Sequence, residues 1–151
     1  MFYSIGDVAH MLGIPTSTLR YYDREGLLSN IKRSNGGIRV FSDTEIGTLR
    51  VIECLKTTGM QIKDIKLFLD WCLEGENTLE KRRDMFYERR AIVERQLEEL
   101  QKTMEMIQYK CWYYETACKA GTEDVMRNMA MDDMPEDARK GKAELERSLT
   151  E

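Results

Sequence analysis

The chain reads as mainly α-helical: four short helices and a basic two-stranded hairpin form a head, and one long helix follows. Three observations carry this. Through residue 75, apolar side chains recur at helical spacing and are stopped repeatedly by glycine. One Asn-Gly-Gly turn signal flanked by basic residues interrupts that pattern. From Thr78 until Gly121 the chain contains neither proline nor glycine. With only 2 Pro and 10 Gly in 151 residues, a loop-rich all-β fold has too few turns available.

Ser4 and Asp7 have the spacing of an N-terminal capping box, and Ile5, Val8, Ala9 and Leu12 follow at helical intervals until Gly13. Pro15 and Thr16 open a second helix through Leu19, Tyr22 and Asp23, which Gly26 stops. Leu19 and Tyr22 are expected in the core. Two short helices joined by Gly-Ile-Pro have the helix-turn-helix signature, although any small helical hairpin shares that spacing. Asn35-Gly36-Gly37 then predicts a hairpin between Ile31–Arg33 and Ile38–Phe41 that carries Lys32, Arg33 and Arg39. Such a basic hairpin is either a wing set against a DNA backbone or a solvated charged loop.

Ser42 and Glu45 form a second capping box, opening a helix with Ile46, Leu49, Ile52 and Leu55 on one face and Gly59 at its end. A fourth helix runs from about Gln61 to Glu74, with Ile62, Ile65, Leu69 and Cys72 on one face, which puts Cys72 in the core. Beyond Thr78, Val93, Leu97, Leu100, Met104, Ile107, Cys111, Tyr114 and Cys118 alternate in steps of four and three. That is a heptad seam. At roughly 1.5 Å per residue the helix is about 60 Å long, too long to bury its seam on a small head. Its simplest partner is a second copy, in an antiparallel coiled coil. The expected organisation is therefore a head at 1–75, a dimerisation helix at 76–120 and a C-terminal tail at 121–151. The tail is left open between a short helix, an appendage crossing to the partner, and disorder.

Net charge is −4, and its distribution matters more than its size. Residues 1–75 hold nine basic and nine acidic residues, so the acidic excess lies wholly in the second half. Within the neutral head, Arg20, Arg24, Lys32, Arg33 and Arg39 crowd into one stretch opposed only by Asp23 and Glu25. A local basic face of this kind suffices to hold phosphates. No run of 18 apolar residues suggests a membrane span, and MFYSIGDVAH lacks the basic start of a secretory signal. A cytoplasmic protein is expected, with its four cysteines as thiols, ligands or redox sensors rather than a disulfide framework. There is one histidine, no paired catalytic acid motif and no glycine-rich phosphate loop, so enzyme chemistry is not expected. A purely structural coiled-coil adaptor would account for 78–118 and leave the head unexplained.

Ser4-Ile5-Gly6-Asp7-Val8-Ala9, then Thr18-Leu19-Arg20-Tyr21-Tyr22-Asp23 with Gly26-Leu27-Leu28, then Arg33 to Gly37 with Arg39 and Phe41, resembles the winged helix-turn-helix head of the MerR family of bacterial regulators. Gly59-Met60-x-Ile62-x-x-Ile65 resembles the segment that closes that head. The resemblance covers residues 2–75 and extends more loosely to about 120. It implies a homodimer on double-stranded promoter DNA with a pseudo-palindromic, overlong spacer. Distortion of that spacer realigns the polymerase boxes, so RNA polymerase is an indirect partner and the protein an activator. It implies no cofactor. Thr16, Ser17 and Thr18 would enter the major groove. Arg20 and Tyr21 match positions that hold the backbone, and Arg39 matches the wing contact beside Lys32 and Arg33.

The effector is less legible. Cys54 falls where the aldehyde- and electrophile-responsive branch of the family keeps a reactive cysteine, which implies a stress response; the alternative is a small buried hydrophobe. Arg50 lies one turn earlier and Glu53 beside it. A metal reading would use Cys111 and Cys118, but at i, i+7 in one helix they stand about 10 Å apart, too far to share an ion within one chain. Ligation across a dimer stays open. Asn77 or Thr78, at the family's metal-selecting position, is not a soft ligand, so no metal site is assigned. The aromatic group Tyr109, Trp112, Tyr113 and Tyr114 either docks on a partner's head or lines a pocket for a small interfacial ligand.

Overall fold

The computed structural model describes residues 1–28, 31–33 and 39–150, with the backbone alone at 32 and 33. The order is β1 (Phe2–Ser4), α1 (Ile5–Leu12), α2 (Thr16–Arg24), β2 (Lys32–Arg33), β3 (Arg39–Ser42), α3 (Asp43–Thr57), α4 (Ile62–Glu74), α5 (Leu79–Ala120), α6 (Asp124–Arg127) and α7 (Glu136–Ser148). The chain divides into two compact units, Met1–Arg89 and Arg90–Glu151. The Asn35-Gly36-Gly37 turn and the side chains of Lys32 and Arg33 lie outside the described residues.

In the first unit the expected hairpin pairs antiparallel, Lys32 opposite Val40 and Arg33 opposite Arg39. A strand that the sequence reading lacks, β1, adds to the other edge of β3, with Tyr3 opposite Phe41. Three residues are too few to show a strand period. The pairing has a clear consequence. Ser4 ends β1 and caps α1, while Ser42 ends β3 and caps α3, both through complete capping boxes. Ser4 and Ser42 lie on adjacent strands, so the β1–β3 ladder fixes the starts of both helices together.

The core forms where these elements converge. Val8, Leu19, Tyr22, Phe41, Leu49, Ile52 and Ile65 are enclosed. Cys72, expected in this core, is exposed. By that point α4 has run past the packed layer, and Leu73 beside it is 72% exposed. Thr78 is the one buried polar residue among those described, and its hydroxyl donates to the carbonyls of Trp71 and Gly75 at 2.7 and 2.8 Å. The first turns of α5 belong to this unit: Met85 packs against the core, and Phe86 meets Phe68 edge to face.

In the second unit the chain turns at Gly121 and α7 returns along α5. Met134 and Ala138 pack on Tyr109, with Trp112, Tyr113, Met129 and Leu145 around them. A Cβ built at Gly141 would collide with the Glu105 carbonyl oxygen and stand 2.7 Å from Tyr109 Cβ, so only glycine permits this helix approach. The described tail residues form the helices α6 and α7. No helix among the described residues is long and apolar enough to cross a membrane.

Candidate nucleic-acid interface

The arrangement starts with α2. Gly13, at φ 66°, closes α1 in the left-handed conformation, and Pro15 precedes the first turn of α2, so three residues set the angle between the helices. Leu19 and Tyr22 point inward and are buried. Ser17, Arg20, Tyr21 and Arg24, spaced i, i+3, i+4, i+7, are all exposed on the opposite face. Thr16 and Thr18 are half-buried at the helix start. Pro15 supplies no side-chain cap, so the first amides of α2 keep the positive end of the helix uncovered by protein side chains.

The cations of this surface are unevenly compensated. Arg24 lies over the Tyr21 ring at 5.5 Å and only 3.8 Å from Glu25 at its closest. Arg39, the expected wing contact, donates from Nε to Asp23 at 2.6 Å, with both side chains largely covered. That pair ties β3 to the end of α2, so part of the Arg39 charge is spent inside the head. Arg20 is exposed.

A polar network beneath α2 was not legible in the sequence. The Tyr22 hydroxyl donates to Glu53 Oε1 at 2.7 Å and accepts from Lys56 Nζ at 2.6 Å. Glu53 and Lys56 sit i, i+3 on α3, a readable ion pair; the third partner comes from 31 residues earlier. Burial pushes the Tyr22 phenol above its ordinary 10.0, and the hydrogen bond to Tyr22 pushes Lys56 above 10.5. Both groups therefore hold their protons more tightly folded than unfolded. Their stabilisation is complete below the unfolded values and is lost as pH rises through the folded ones. The melting temperature of the head should fall as pH passes 10, and Tyr22→Phe should flatten that fall. Equal slopes in the two proteins would remove the network from the account.

Cys54 is exposed on the outer side of α3, not the buried hydrophobe that sequence left as the alternative. Its carbonyl accepts from Thr57 Oγ1 at 2.6 Å. One turn on, Arg89 of α5 donates from Nε to the Thr58 carbonyl. Its guanidinium occupies the space where any Cβ at Gly59 would fall, and Gly59 has φ 80°. The exposed thiol thus stands one turn from the point where α5 grips the end of α3. Cys111 and Cys118 are also exposed. Among the described residues, no three His, Cys, Asp or Glu side chains gather as metal ligands.

The family model for the MerR HTH family regulatory protein matches residues 3–71, and a second, described as MerR, DNA binding, matches residues 46–109. A Haemophilus influenzae protein described as an uncharacterized HTH-type transcriptional regulator is 38% identical over 122 residues, 81% of this chain and 90% of that one. The HTH-type transcriptional regulator AdhR of Bacillus subtilis is 33% identical over 92 residues, 60% of this chain and 66% of AdhR. Among solved structures, HiNmlR, a MerR-family regulator lacking the sensor domain and bound to promoter DNA, matches with TM-score 0.65 at 37% identity. The match covers 83% of this chain and 99% of that one.

Proposed function

The chain belongs to the MerR family of transcriptional regulators, and from that premise we propose that it is a homodimeric activator that binds and distorts a pseudo-palindromic promoter when an electrophile modifies Cys54. The exposed 17–20–21–24 face of α2, held in place by buried Leu19 and Tyr22, carries this reading. Its Ser17 hydroxyl suits a base edge and its cations suit phosphates. In this reading residues 1–75 bind DNA, with Thr16, Ser17 and Thr18 in the groove and Arg20, Tyr21, Lys32, Arg33 and Arg39 on the backbone. Residues 76–120 dimerise through Val93, Leu97, Leu100, Met104, Ile107, Cys111 and Tyr114, all of which are exposed in the single chain. The two heads then sit at a separation set by the coiled coil, and the half-site spacing follows. Untwisting the central base pairs costs on the order of a few kcal/mol, offset by the phosphate contacts. RNA polymerase responds to the realigned promoter without touching the sensor.

The effector half rests on the exposure of Cys54 and its place one turn from the Arg89 grip. Addition of the thiol to an aldehyde forms a carbon–sulfur bond, and the carbonyl oxygen takes the thiol proton. The bulk added there falls beside the junction of α3 with α5. Similarity to AdhR and to HiNmlR supports the regulator reading without naming the signal.

One experiment tests both halves: footprinting and in vitro transcription on the gene's own upstream DNA, with wild type, Arg20→Ala and Cys54→Ser, each with and without an aldehyde. Arg20→Ala should weaken binding broadly across sequences and lower the salt slope by about one. Cys54→Ser should bind as wild type and lose the aldehyde response. No protected palindrome sinks the regulator reading; a full response in Cys54→Ser moves the sensor elsewhere.

A further inference from the structure

Along one side of the C-terminal half of α5 runs an open, almost wholly apolar groove of about 470 Å³. Met106, Ile107, Lys110, Cys111 and Tyr114 of α5 form its floor, and Leu145 of α7 forms its far wall. Ile107, Cys111 and Tyr114 belong to the heptad seam, so the hollow is a widened stretch of that seam rather than a separate feature. It exists because Gly141 lets α7 lie close against α5, which brings Leu145 alongside the seam. The N-terminal half of the same seam has the opposite relief. Leu97 and Leu100 are its most exposed members, each 65% exposed.

The seam positions are symmetric under reversal. Turning a second copy of α5 about an axis midway between Met104 and Ile107 sets Leu97 opposite Tyr114, Leu100 opposite Cys111, Met104 opposite Ile107 and Val93 opposite Cys118. The protruding leucines then fall on the hollow, twice over in the two-fold dimer. A parallel pairing would instead set hollow on hollow and leucine on leucine.

We propose that this groove is the seat for the partner subunit's Leu97 and Leu100, so that α7 is a wall of the dimer interface and not an appendage. The assignment rests on the antiparallel dimer proposed above and adds to it a helix outside the coiled coil. It makes the interface a four-helix arrangement, in which the contact area per seam residue exceeds that of a two-stranded coil.

The test is sedimentation of the full chain over a concentration series, combined with alkylation of Cys111 read by peptide mass. Four proteins suffice: wild type, Leu100→Glu, Leu145→Ala and Lys140→Ala. Alanine is a strong helix former, so Leu145→Ala shortens the wall without breaking α7, which circular dichroism checks. Wild type should be dimeric, with Cys111 alkylated about tenfold more slowly than in monomeric Leu100→Glu. Leu145→Ala should raise the dimer dissociation constant about tenfold, in the range of an interface hot spot, and unmask Cys111. Lys140→Ala, on a solvated ion pair with Glu136, should do neither. A monomeric wild type overturns the dimer and the seat together. A dimer lost in Leu100→Glu but unaffected by Leu145→Ala, or one whose Cys111 reacts as fast as in the monomer, overturns the seat alone and leaves the groove open to another occupant, such as a small apolar ligand.

Discussion

Gly141→Ala is expected to strip α7 from α5. The added methyl group meets the Glu105 carbonyl oxygen, an atom of the α5 backbone that cannot turn aside as a side chain can, and it also crowds Tyr109 Cβ at 2.7 Å. Overpacking of this kind costs about 1–3 kcal/mol where the surroundings relax, and a helix backbone relaxes little. A helix of 13 residues is marginal on its own, so α7 released from α5 should also unfold. Amide exchange across 136–148 should accelerate to near the rate of a free peptide, and trypsin should reach Arg139 and Lys142. Intact protection in the variant would mean that the helices separate slightly at little cost, and the close approach would lose its importance. The head should be unaffected, since its core is built from residues 8–65.

Gly141 also marks where sequence reading stops. Within residues 1–75 the capping and stop signals agreed with the fold: Ser4 and Ser42 with acids three residues on, and glycines after apolar stripes. These are contacts within a few residues, written in the chain as spacing. The features that went unread join distant positions. β1 becomes a strand only because β3 offers it an edge some 40 residues later. The Tyr22 hydroxyl meets Glu53 and Lys56 only because α2 crosses α3. Arg39 was legible as a wing cation, but its pairing with Asp23 was not, because only the fold brings β3 to the end of α2, 16 residues away in sequence. Cys72 fitted the apolar period of α4, and periodicity cannot report where the packed layer ends. A glycine in the middle of a helix reads as a weak helix former until the second helix is known to pass over it. In the candidate interface, the α2 face was readable from spacing alone, whereas the exposure of Cys54 depended on which side of α3 meets the core.

The largest effect on function is expected from Leu97→Glu combined with Leu100→Glu. Both side chains are exposed in the single chain and take no part in the core of the head, so the variant should fold and fail only to pair. Four carboxylates at the middle of an antiparallel seam would be desolvated without partners, a cost no two-stranded interface offsets. The consequence for DNA exceeds the loss of the protein contact. Two linked heads bind a palindrome with the second head already at high local concentration, which raises overall affinity by about 10²- to 10⁴-fold over one head alone. A monomer also has no lever. Distortion of the central base pairs needs two grips joined by a stiff element, and one head can only sit on its half-site. The double variant should therefore lose promoter affinity by that factor, keep a weak salt-sensitive binding, and activate nothing at any concentration that fills the half-sites. Arg20→Ala should instead lower affinity while leaving activation intact once the site is filled. The two variants separate grip from leverage. A double variant that still footprints both half-sites at wild-type concentration would show that the heads are coupled by something other than this seam, and the dimerisation role of α5 would have to be abandoned.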